Sequence, residues 1–241
     1  MRILAMDTAT SAITVAVHDG GQVLASRSTV DARRHTELLA PLLIGVMRAA
    51  GTAAEEVTHV AVGTGPGPFT GLRVGLVTAR TFAHARGISV HGVCSLDALA
   101  GAAATGGHEG ELLVATDARR KEVYWARYRC TDGAIERLGD PAVNKPADLP
   151  DAVRALPTAG RGPLLYPELL PHGTGPLDVD AGALATLAAQ RITAGEAMPV
   201  EPLYLRRPDA MVPSAPKPAT AAPRQQQQRR RPDRRAEQAQ Q

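Results

Sequence analysis

The residues best suited to chemistry lie where the first apolar strand ends. Asp7 closes that strand, and the turn after it carries the hydroxyl groups of Thr8, Thr10 and Ser11. A carboxylate at such a place can hold a hydrated Mg²⁺ ion, while hydroxyl and N–H groups of the turn can face a phosphate. An aspartate in a short turn can also simply cap its own backbone. The sequence leaves both interpretations open.

A loop rich in glycine and proline is the second candidate for anion binding. It follows an apolar strand ending at Val62, reads GTGPGP and opens directly onto a helix. Unpaired N–H groups at a helix start attract anions, and glycine lets another group approach the main chain. The consensus phosphate motifs are missing, because GxxxxGK[ST] requires a lysine that is not there and Pro68 stands where GxGxxG requires glycine. A tight turn without a ligand is the equal alternative.

Charged and metal-ligating residues elsewhere give weaker signals. The sequence DARRK, which starts at Asp117, is a turn that could supply charge to an anion or could be a solvated hairpin tip. His35 stands at a helix start, but the position one turn later is Leu39, so no metal pair is predicted there. Cys94 and Cys130 lack the CxxC spacing, which leaves a disulfide framework or zinc site unsupported.

Strands and helices must position these residues, and the hydrophobic pattern predicts both. The first half reads as three strands and a helix, followed by strands and helices in alternation. The second half resembles a shortened echo of the first. The predicted elements are strands at 2–8, 12–18, 22–30, 57–63, 88–93, 112–119, 122–130 and 134–143, and helices at 33–50, 70–86, 95–104 and 180–194. This order predicts an α/β fold with mixed sheets flanked by helices.

Two of the predicted helices have unusual faces. In the first long helix, leucine and other apolar residues form one broad stripe. In the second, Gly71, Gly75, Ala79 and Ala83 recur every four residues, so that one face is nearly bare of side chains. Two interior glycines cost about 1 kcal/mol each relative to alanine, which indicates a backbone packed very close to that face. The neighbour is either the domain's own sheet or helix, or a partner subunit.

The charge is divided unevenly along the chain. The formal net charge is +3, but residues 212–241 carry +5 and residues 1–211 carry −2. With a slightly acidic body and only 3% aromatic residues, the chain does not present a platform for single-stranded RNA. No run approaches the roughly 20 apolar residues of a membrane span, so we expect a soluble cytoplasmic protein. Residues 212–241 are rich in Pro, Gln and Arg without periodicity and are predicted to be a disordered tail.

Five segments of the chain resemble one known family. They read MDTATSAITVAV, RRHTELLAPLL, VGTGPGPFTGLRVGLVTARTFA, ATDARRKEVYWARY and PLYLRRPDA, and they span roughly residues 1–211. They resemble the TsaB (YeaZ) family, the dimerization subunit of the bacterial machinery that makes threonylcarbamoyladenosine beside the tRNA anticodon. The resemblance implies a two-lobed actin-like, sugar-kinase-like ATPase fold of the ribonuclease H-like class. Its N-terminal lobe would be residues 1–104, and a reduced C-terminal lobe would be residues 105–211.

The sequence departs from the catalytic members of that superfamily at two places. Their first phosphate turn resembles D-x-G-[ST], whereas the turn here reads DTAT, and Ala9 puts a methyl group where the backbone must approach the phosphate. The catalytic relative, TsaD, has H-x-x-x-H on its first helix, whereas His35 here is followed by Leu39. The resemblance therefore implies a subunit without chemistry of its own. The residues expected to be only the remnant of a nucleotide site are Asp7, Thr8, Thr10, Gly65 and Gly67.

What the resemblance implies instead is assembly. The expected partners are the TsaD transferase, the TsaE ATPase and, when the chain is alone, a second copy of itself; tRNA is reached only through the complex, and no membrane is involved. No intrinsic cofactor or metal is expected, since ATP and Mg²⁺ would be bound by partner subunits. The expected partner interface consists of Leu38, Leu39, Leu42, Val46, Gly71, Val74, Gly75, Thr78, Ala79 and Phe82. The alternative is an independent nucleotide-dependent enzyme, an ATPase, kinase or peptidase-like protein, built on Asp7 and the glycine loop.

Overall fold

Two mixed sheets flanked by helices make up the part of the chain that the computed structural model describes, residues 1–31 and 33–206. The predicted tail at 212–241 lies outside these residues. The strands are β1 (Ile3–Asp7), β2 (Ala12–His18), β3 (Val23–Val30), β4 (His59–Gly63), β5 (Ser89–Val93), β6 (Gly110–Asp117), β7 (Val123–Thr131), β8 (Ala134–Arg137), β9 (Ala142–Asn144) and β10 (Thr158–Ala159). The helices are α1 (His35–Ala49), α2 (Phe69–Arg86), α3 (Ser95–Thr105), α4 (Asp151–Arg154), α5 (Gly162–Leu165) and α6 (Ala181–Thr193). None of these helices is long and apolar enough to cross a membrane.

The first sheet has the strand order β3-β2-β1-β4-β5. Strands β1, β2 and β3 pair antiparallel, and β4 and β5 then extend the sheet in parallel. Antiparallel neighbours need only tight turns, whereas parallel neighbours need a crossover. The connection from β1 to β4 contains α1, and the connection from β4 to β5 is α2. The predicted order of a three-stranded meander followed by alternating strands and helices is confirmed.

The second sheet repeats this layout in reduced form. Its strand order is β10-β6-β7-β8, and β9 pairs separately with β7. Strands β6, β7 and β8 pair antiparallel, while the two-residue β10 lies parallel to β6, as β4 lies parallel to β1. The shortened echo predicted for the second half is therefore present, and the α/β fold class is confirmed.

The first sheet is covered on both faces, which explains why all five residues of β1 are buried. Leu4 and Met6 pack with α1 and α2 on one face, and Ile3 packs with α3 and α6 on the other. Helix α6, which the sequence assigned to the C-terminal lobe, packs against β1 and β2 of the first sheet. Its first amide, at Ala181, donates a 3.0 Å hydrogen bond to the Thr14 hydroxyl. The lobe boundaries expected from the family stay a prediction.

A buried carboxylate ties α3 to the second sheet and to α6. Asp97, which is 4% exposed, accepts hydrogen bonds from the Tyr128 hydroxyl at 2.9 Å, from Arg137 at 3.0 Å and from Arg191 at 2.9 Å. These donors come from β7, β8 and α6. Because a buried carboxylate is stable only when its oxygens are paired, the three donors fix the position of α3 between the sheets.

The last described residues form a segment that crosses from the edge of the first sheet to the second half. The Gly92 amide of β5 donates to the Met198 carbonyl at 3.0 Å, and the Leu203 amide donates to the Thr64 carbonyl at 2.9 Å. Beyond them, Arg206 donates to a carbonyl in the turn between β6 and β7 at 3.2 Å. The segment therefore fastens β5, the glycine loop and the second half together.

Candidate functional site

Asp7 lies at the end of β1 with its carboxylate buried beneath the turn that follows. One oxygen accepts a 2.5 Å hydrogen bond from the Ser95 hydroxyl, and the other accepts a 2.7 Å hydrogen bond from the Ala9 amide. The side chain is 0% exposed. A magnesium ion that keeps its water ligands needs open carboxylate oxygens, and this enclosed group does not fit one. The sequence left two interpretations open, and the geometry agrees with the second, in which the aspartate caps the backbone of its own turn.

Burial raises the pKa of Asp7 from its ordinary value of 3.8 to about 6. Hydrogen bonds from Ser95 and from the amides of Ala9 and Thr10 lower the pKa, as does the nearby His35, but the loss of hydration outweighs them. The amides of this turn therefore donate to the chain's own carboxylate. They are not presented to a phosphate in the cleft.

Thr8 explains the small-residue face of α2. Its hydroxyl donates to the Gly71 carbonyl at 2.7 Å and accepts from the Gly75 amide at 2.9 Å. A methyl group at Gly75 would lie 2.7 Å from the Thr8 hydroxyl oxygen, and one at Gly71 would lie 2.8 Å from the Thr8 carbonyl oxygen. Of the two neighbours considered for this face, the chain's own turn is the one that the structure shows. The Thr8 carbonyl and hydroxyl lie against this face, and the place of Gly71 and Gly75 in a partner interface stays a prediction.

The glycine loop is a packing element rather than an open cradle. All residues from Gly63 to Gly67 are buried. The Gly65 amide donates to the Ser95 hydroxyl at 3.1 Å, and a side chain at Gly67 would overlap the Ala9 carbonyl. The loop is thus pressed between the β1–β2 turn and the start of α3. Gly65 and Gly67, expected as remnant nucleotide contacts, have no face open to a ligand.

His35 uses its ring to hold the β1–β2 turn. Its Nε2 lies 3.1 Å from the Thr10 carbonyl oxygen, which can only accept, so this nitrogen carries the hydrogen. The residue is 8% exposed and begins α1. Within residues 1–31 and 33–206, no group of three or more His, Cys, Asp and Glu side chains is arranged to hold a metal ion. His35, the one histidine of the metal motif that this chain retains, thus makes a structural hydrogen bond to the β1–β2 turn.

A cavity of about 150 Å³ remains where the β1–β2 turn and the starts of α1 and α2 meet the second half. Thr10, whose role as a remnant nucleotide contact stays a prediction, lies on its wall. The other polar residues of the first-half wall are Thr8, Ser11, Arg33, His35, Thr36 and Thr70. The cavity is smaller than the roughly 300–1,000 Å³ of pockets that hold drug-sized ligands. Its walls are nevertheless rich in hydrogen-bonding groups.

Two arginine–aspartate pairs form the second-half wall of this cavity. Arg161 binds Asp178 through two nitrogens, at 2.8 and 2.6 Å, and Arg119 lies 2.8 Å from Asp117. Arg119 and the two residues after it all have positive φ, at 61°, 53° and 63°, an uncommon conformation for residues other than glycine. The sequence singled out this turn, but it gave no signal for Arg161 and Asp178, which reach the cavity only through the fold.

The outer sides of α1 and α2 form a second candidate site, which we call the α1–α2 surface. Six of the ten residues expected at the partner interface are half-buried there: Leu38, Leu42, Gly71, Val74, Thr78 and Phe82. The other four are buried in the chain's own core: Leu39, Val46, Gly75 and Ala79. Of these four, Leu39 nevertheless lines the groove between the two helices. The interface as a whole stays a prediction.

Three exposed apolar residues on the α1–α2 surface were missed by the sequence analysis. Ile44 is 62%, Phe69 is 43% and Val77 is 61% exposed. A groove of about 500 Å³ runs between the two helices and is lined by Val74 and Val77, among others. Arg73 lies over the Phe69 ring at 3.6 Å from its centre. Helical periodicity places Val77 on the solvent side of α2. An apolar residue at such a position was the signal in the sequence for a contact surface.

Comparisons with known proteins agree with the resemblance seen in the motifs. Residues 22–159 match the family model described as TsaD, tRNA N6-adenosine threonylcarbamoyltransferase. An uncharacterized protein of Mycobacterium leprae is 46% identical over 212 residues, which are 86% of this chain. This chain spans only 55% of the length of that relative.

Two further relatives carry the family's names. The tRNA threonylcarbamoyladenosine biosynthesis protein TsaB of Escherichia coli is 33% identical over 220 residues, covering 86% of this chain and 95% of its own. The solved structure of YeaZ from Pseudomonas aeruginosa superposes with a TM-score of 0.74 at 31% identity, covering 85% of this chain and 99% of its own. On sequence, on motif and on fold, this chain belongs to the TsaB (YeaZ) family.

Proposed function

We propose that this chain is a non-catalytic subunit that pairs with a TsaD-type transferase during threonylcarbamoylation of N6 of the adenosine beside the tRNA anticodon. Membership of the TsaB family supports the pathway, since relatives are named for tRNA threonylcarbamoyladenosine biosynthesis. The match of residues 22–159 to the TsaD model supports a common architecture with the transferase.

The observation that carries the non-catalytic role is the closed turn after β1. A phosphate-binding turn offers its N–H groups to a ligand, and charge on a transferred group must be met by donors held ready for it. Here the Ala9 amide and the Ser95 hydroxyl both donate to Asp7. Opening this turn to a phosphate would leave a buried carboxylate unpaired, which is strongly unfavourable. The transferase subunit would therefore supply the chemistry.

The α1–α2 surface is the proposed contact with the transferase. Phe69 and Val77 expose apolar side chains along a groove, and Ile44 is exposed on α1. Burial of aromatic and aliphatic side chains at the centre of a contact supplies most of the affinity of typical interfaces. Arg73 and Arg80 are exposed on the same helix and can form the polar rim. The half-buried residues Leu42, Val74 and Phe82 would complete the contact, whereas the four core residues would support it from below.

The remaining members of the assembly follow from the same proposal. A TsaE-type ATPase would join the pair and bind ATP and Mg²⁺ with the partner subunits, and tRNA would contact the complex rather than this chain alone. When no transferase is present, the same surface would pair with a second copy of the chain. The homodimer and the transferase complex would then exclude each other, because they share one surface.

Co-purification with the TsaD-type protein of the same genome tests the contact. We expect Val77→Asp to weaken the pairing at least about tenfold, because it places a charge in an apolar contact. Leu164→Asp is the matched control, since Leu164 is 60% exposed on α5, outside the proposed surface. Equal recovery of the transferase with both variants would overturn the interface assignment. Loss of binding with both would also count against it.

Calorimetry and turnover assays of the isolated chain test the alternative of an independent enzyme. The proposed role predicts neither saturable binding of Mg-ATP nor hydrolysis by the purified chain. It further predicts that adding the chain to the transferase raises formation of modified tRNA. Turnover of ATP or of peptides by the chain alone, abolished by a substitution in the β1–β2 turn, would establish the enzyme instead.

A further inference from the structure

Strand β3 forms an open edge of the first sheet. The opposite edge, at β5, is covered, because its Gly92 amide donates to the Met198 carbonyl at 3.0 Å. Among the described residues, β3 pairs with β2 alone, and its middle, residues 26–28, is exposed. The strand Val23–Val30 contains one charged side chain and no proline. Natural proteins protect long edges with covers, charges or proline, and this edge has little of that protection.

The pairing of β3 with β2 shows which backbone groups of β3 point outward. The register is regular over residues 25–30 and shifts near the start of the strand. The Asp31 amide continues the ladder by donating to the Ser11 carbonyl at 3.0 Å. Because backbone groups alternate along an antiparallel strand, the odd-numbered residues point theirs at β2 and the even-numbered residues point theirs away. Within residues 1–31 and 33–206, these outward amides and carbonyls have no backbone partner.

We propose that β3 pairs antiparallel with β3 of a second copy of this chain, with the two-fold axis at Ser28. The two five-stranded sheets then join into one continuous sheet. Ser28 lies opposite the Ser28 of the second copy, and Ser26 lies opposite its Val30. The outward groups of these residues form a ladder of about six hydrogen bonds across the axis, and each copy contributes the same surface.

The side chains and the strand ends select this register among those that two-fold symmetry allows. Opposite residues of an antiparallel pair share a face of the sheet, so the axis passes through a residue and not between two. An axis at Arg27 sets two guanidinium groups directly opposite each other, which is unfavourable. An axis at Thr29 leaves Ser26 opposite the loop after β3, and one at Ser26 meets the irregular pairing at the start of the strand. The axis at Ser28 sets Arg27 diagonal to the second copy's Asp31, whose carboxylate attracts it.

This contact is separate from the α1–α2 surface. No residue of β3 lines the groove between α1 and α2 in the part of the chain that the structure describes. A chain can therefore pair through β3 while its α1–α2 surface is occupied. A single pair of strands buries little apolar surface, so we expect a weak dimer whose population rises with concentration.

Disulfide cross-linking of the full chain tests the register. Ser28→Cys sets two thiols across the axis, where the Cα atoms of a hydrogen-bonded pair lie about 5.5 Å apart, within the range of a disulfide. Oxidised glutathione takes up the two electrons and two protons that the thiols release. Ser26→Cys is the matched control, because its counterpart in the second copy lies about 14 Å away along the strands. Both native cysteines are buried and give no background.

We expect Ser28→Cys to form the covalent dimer at least about tenfold faster than Ser26→Cys, since only its thiols lie within bonding range. Both positions are exposed on the same strand and carry the same substitution, so they differ only in their distance from the axis. Equal rates for the two variants overturn the proposal. Absence of a covalent dimer with Ser28→Cys overturns it as well.

Sedimentation equilibrium over a range of concentrations tests whether the dimer forms without cross-linking. Ser28→Pro removes an outward amide and no bond to β2, so it should keep the fold and weaken the dimer at least about tenfold. Val77→Asp should leave the β3 dimer in place, which separates this proposal from pairing through the α1–α2 surface.

Three outcomes of the sedimentation experiment overturn the proposal. The first is a wild-type chain that stays monomeric at every concentration. The second is a dimer that Val77→Asp abolishes, since that dimer forms through the α1–α2 surface. The third is a monomeric wild type whose recovery of the transferase falls with Ser28→Pro, because the edge then belongs to a different partner.

Discussion

The Ser95 hydroxyl lies 2.5 Å from the Asp7 carboxylate, although 88 residues separate the two along the chain. Asp7 ends β1 and Ser95 begins α3, so this contact joins the meander to the last helix of the first half. It also completes the set of donors that closes the carboxylate off from solvent. Asp7, the carboxylate that the sequence offered for holding a cation, therefore stabilises the fold instead.

Asp7→Asn should change how stability depends on pH. The pKa of Asp7 is about 6 in the folded chain against an ordinary value of 3.8. Between these values the folded state holds the proton more tightly than the unfolded state, so the wild type loses stability as pH rises from about 4 to 6. The total loss is about 3 kcal/mol at 1.36 kcal/mol per pKa unit. An asparagine cannot ionise, so the variant should lack this loss.

Urea unfolding of wild type and variant at several pH values between 4 and 7 measures the effect. Asp19→Asn is the control, because Asp19 is only half-buried and its pKa is lowered by hydrogen bonds from the Gln22 and Gly21 amides. Parallel stability curves for wild type and Asp7→Asn across this range would contradict the argument.

Gly75→Ala should destabilise the isolated chain. The added methyl would lie 2.7 Å from the Thr8 hydroxyl oxygen, so the turn or α2 must shift, at about 1–3 kcal/mol as for overpacked cores. Gly101→Ala is the matched control within a helix, because a methyl there meets nothing within 4 Å and alanine favours helix by about 1 kcal/mol. Thermal unfolding should therefore shift in opposite directions for the two variants. A neutral or stabilising Gly75→Ala would show that Thr8 does not restrict this face.

Asp97→Ala should be among the most damaging substitutions in the chain. It leaves Arg137 and Arg191 without the carboxylate that pairs them, and loss of one partner from a buried ion pair costs about 3–5 kcal/mol. Tyr128→Phe removes one hydrogen bond to the same carboxylate and should cost about 1 kcal/mol.

Asp151→Ala serves as the control for that series. The Asp151 side chain is 93% exposed where it pairs with Arg154, so its loss should stay within about 1 kcal/mol. Denaturant titration of the three variants should rank them in this order. An Asp97→Ala variant as stable as Asp151→Ala would refute the role given to the buried network.

Both cysteines should be unreactive in the folded chain. Burial raises the pKa of the Cys94 thiol to about 12 and also raises that of Cys130. The thiolate is the reactive form, so neither side chain should react with a thiol reagent at pH 8. Both should react in full once the chain is unfolded in guanidinium. Rapid labelling of either residue in the native protein would contradict the buried environment described for it.

Sequence reasoning reached the elements because their signals are local. Alternating apolar residues and the Asp19-Gly20 turn predicted the antiparallel meander, and Gly87 marks the end of α2 as expected. The repeat of the pattern in the second half predicted a second, smaller sheet. Each of these signals lies within about ten residues of the element that it specifies.

The candidate site was harder to predict because its contacts are long-range. Periodicity showed that one face of α2 is bare, but it cannot say that Thr8 fills that face. The Ser95 contact of Asp7, and the lining of one cavity by Arg33, Arg161 and Asp178, appear only once the chain is folded. No spacing in the sequence marks these pairs. The same limit led the sequence analysis to assign buried Gly75 to a partner.

The segment that carries Met198 and Leu203 has a consequence for the order of assembly. Its docking points at Thr64, at Gly92 and in the β6–β7 turn are all synthesised before it. Domains generally fold as units once their chain has been synthesised. This stretch can therefore dock only after the residues that it contacts have been synthesised, so the compact unit is completed by its C-terminal segment.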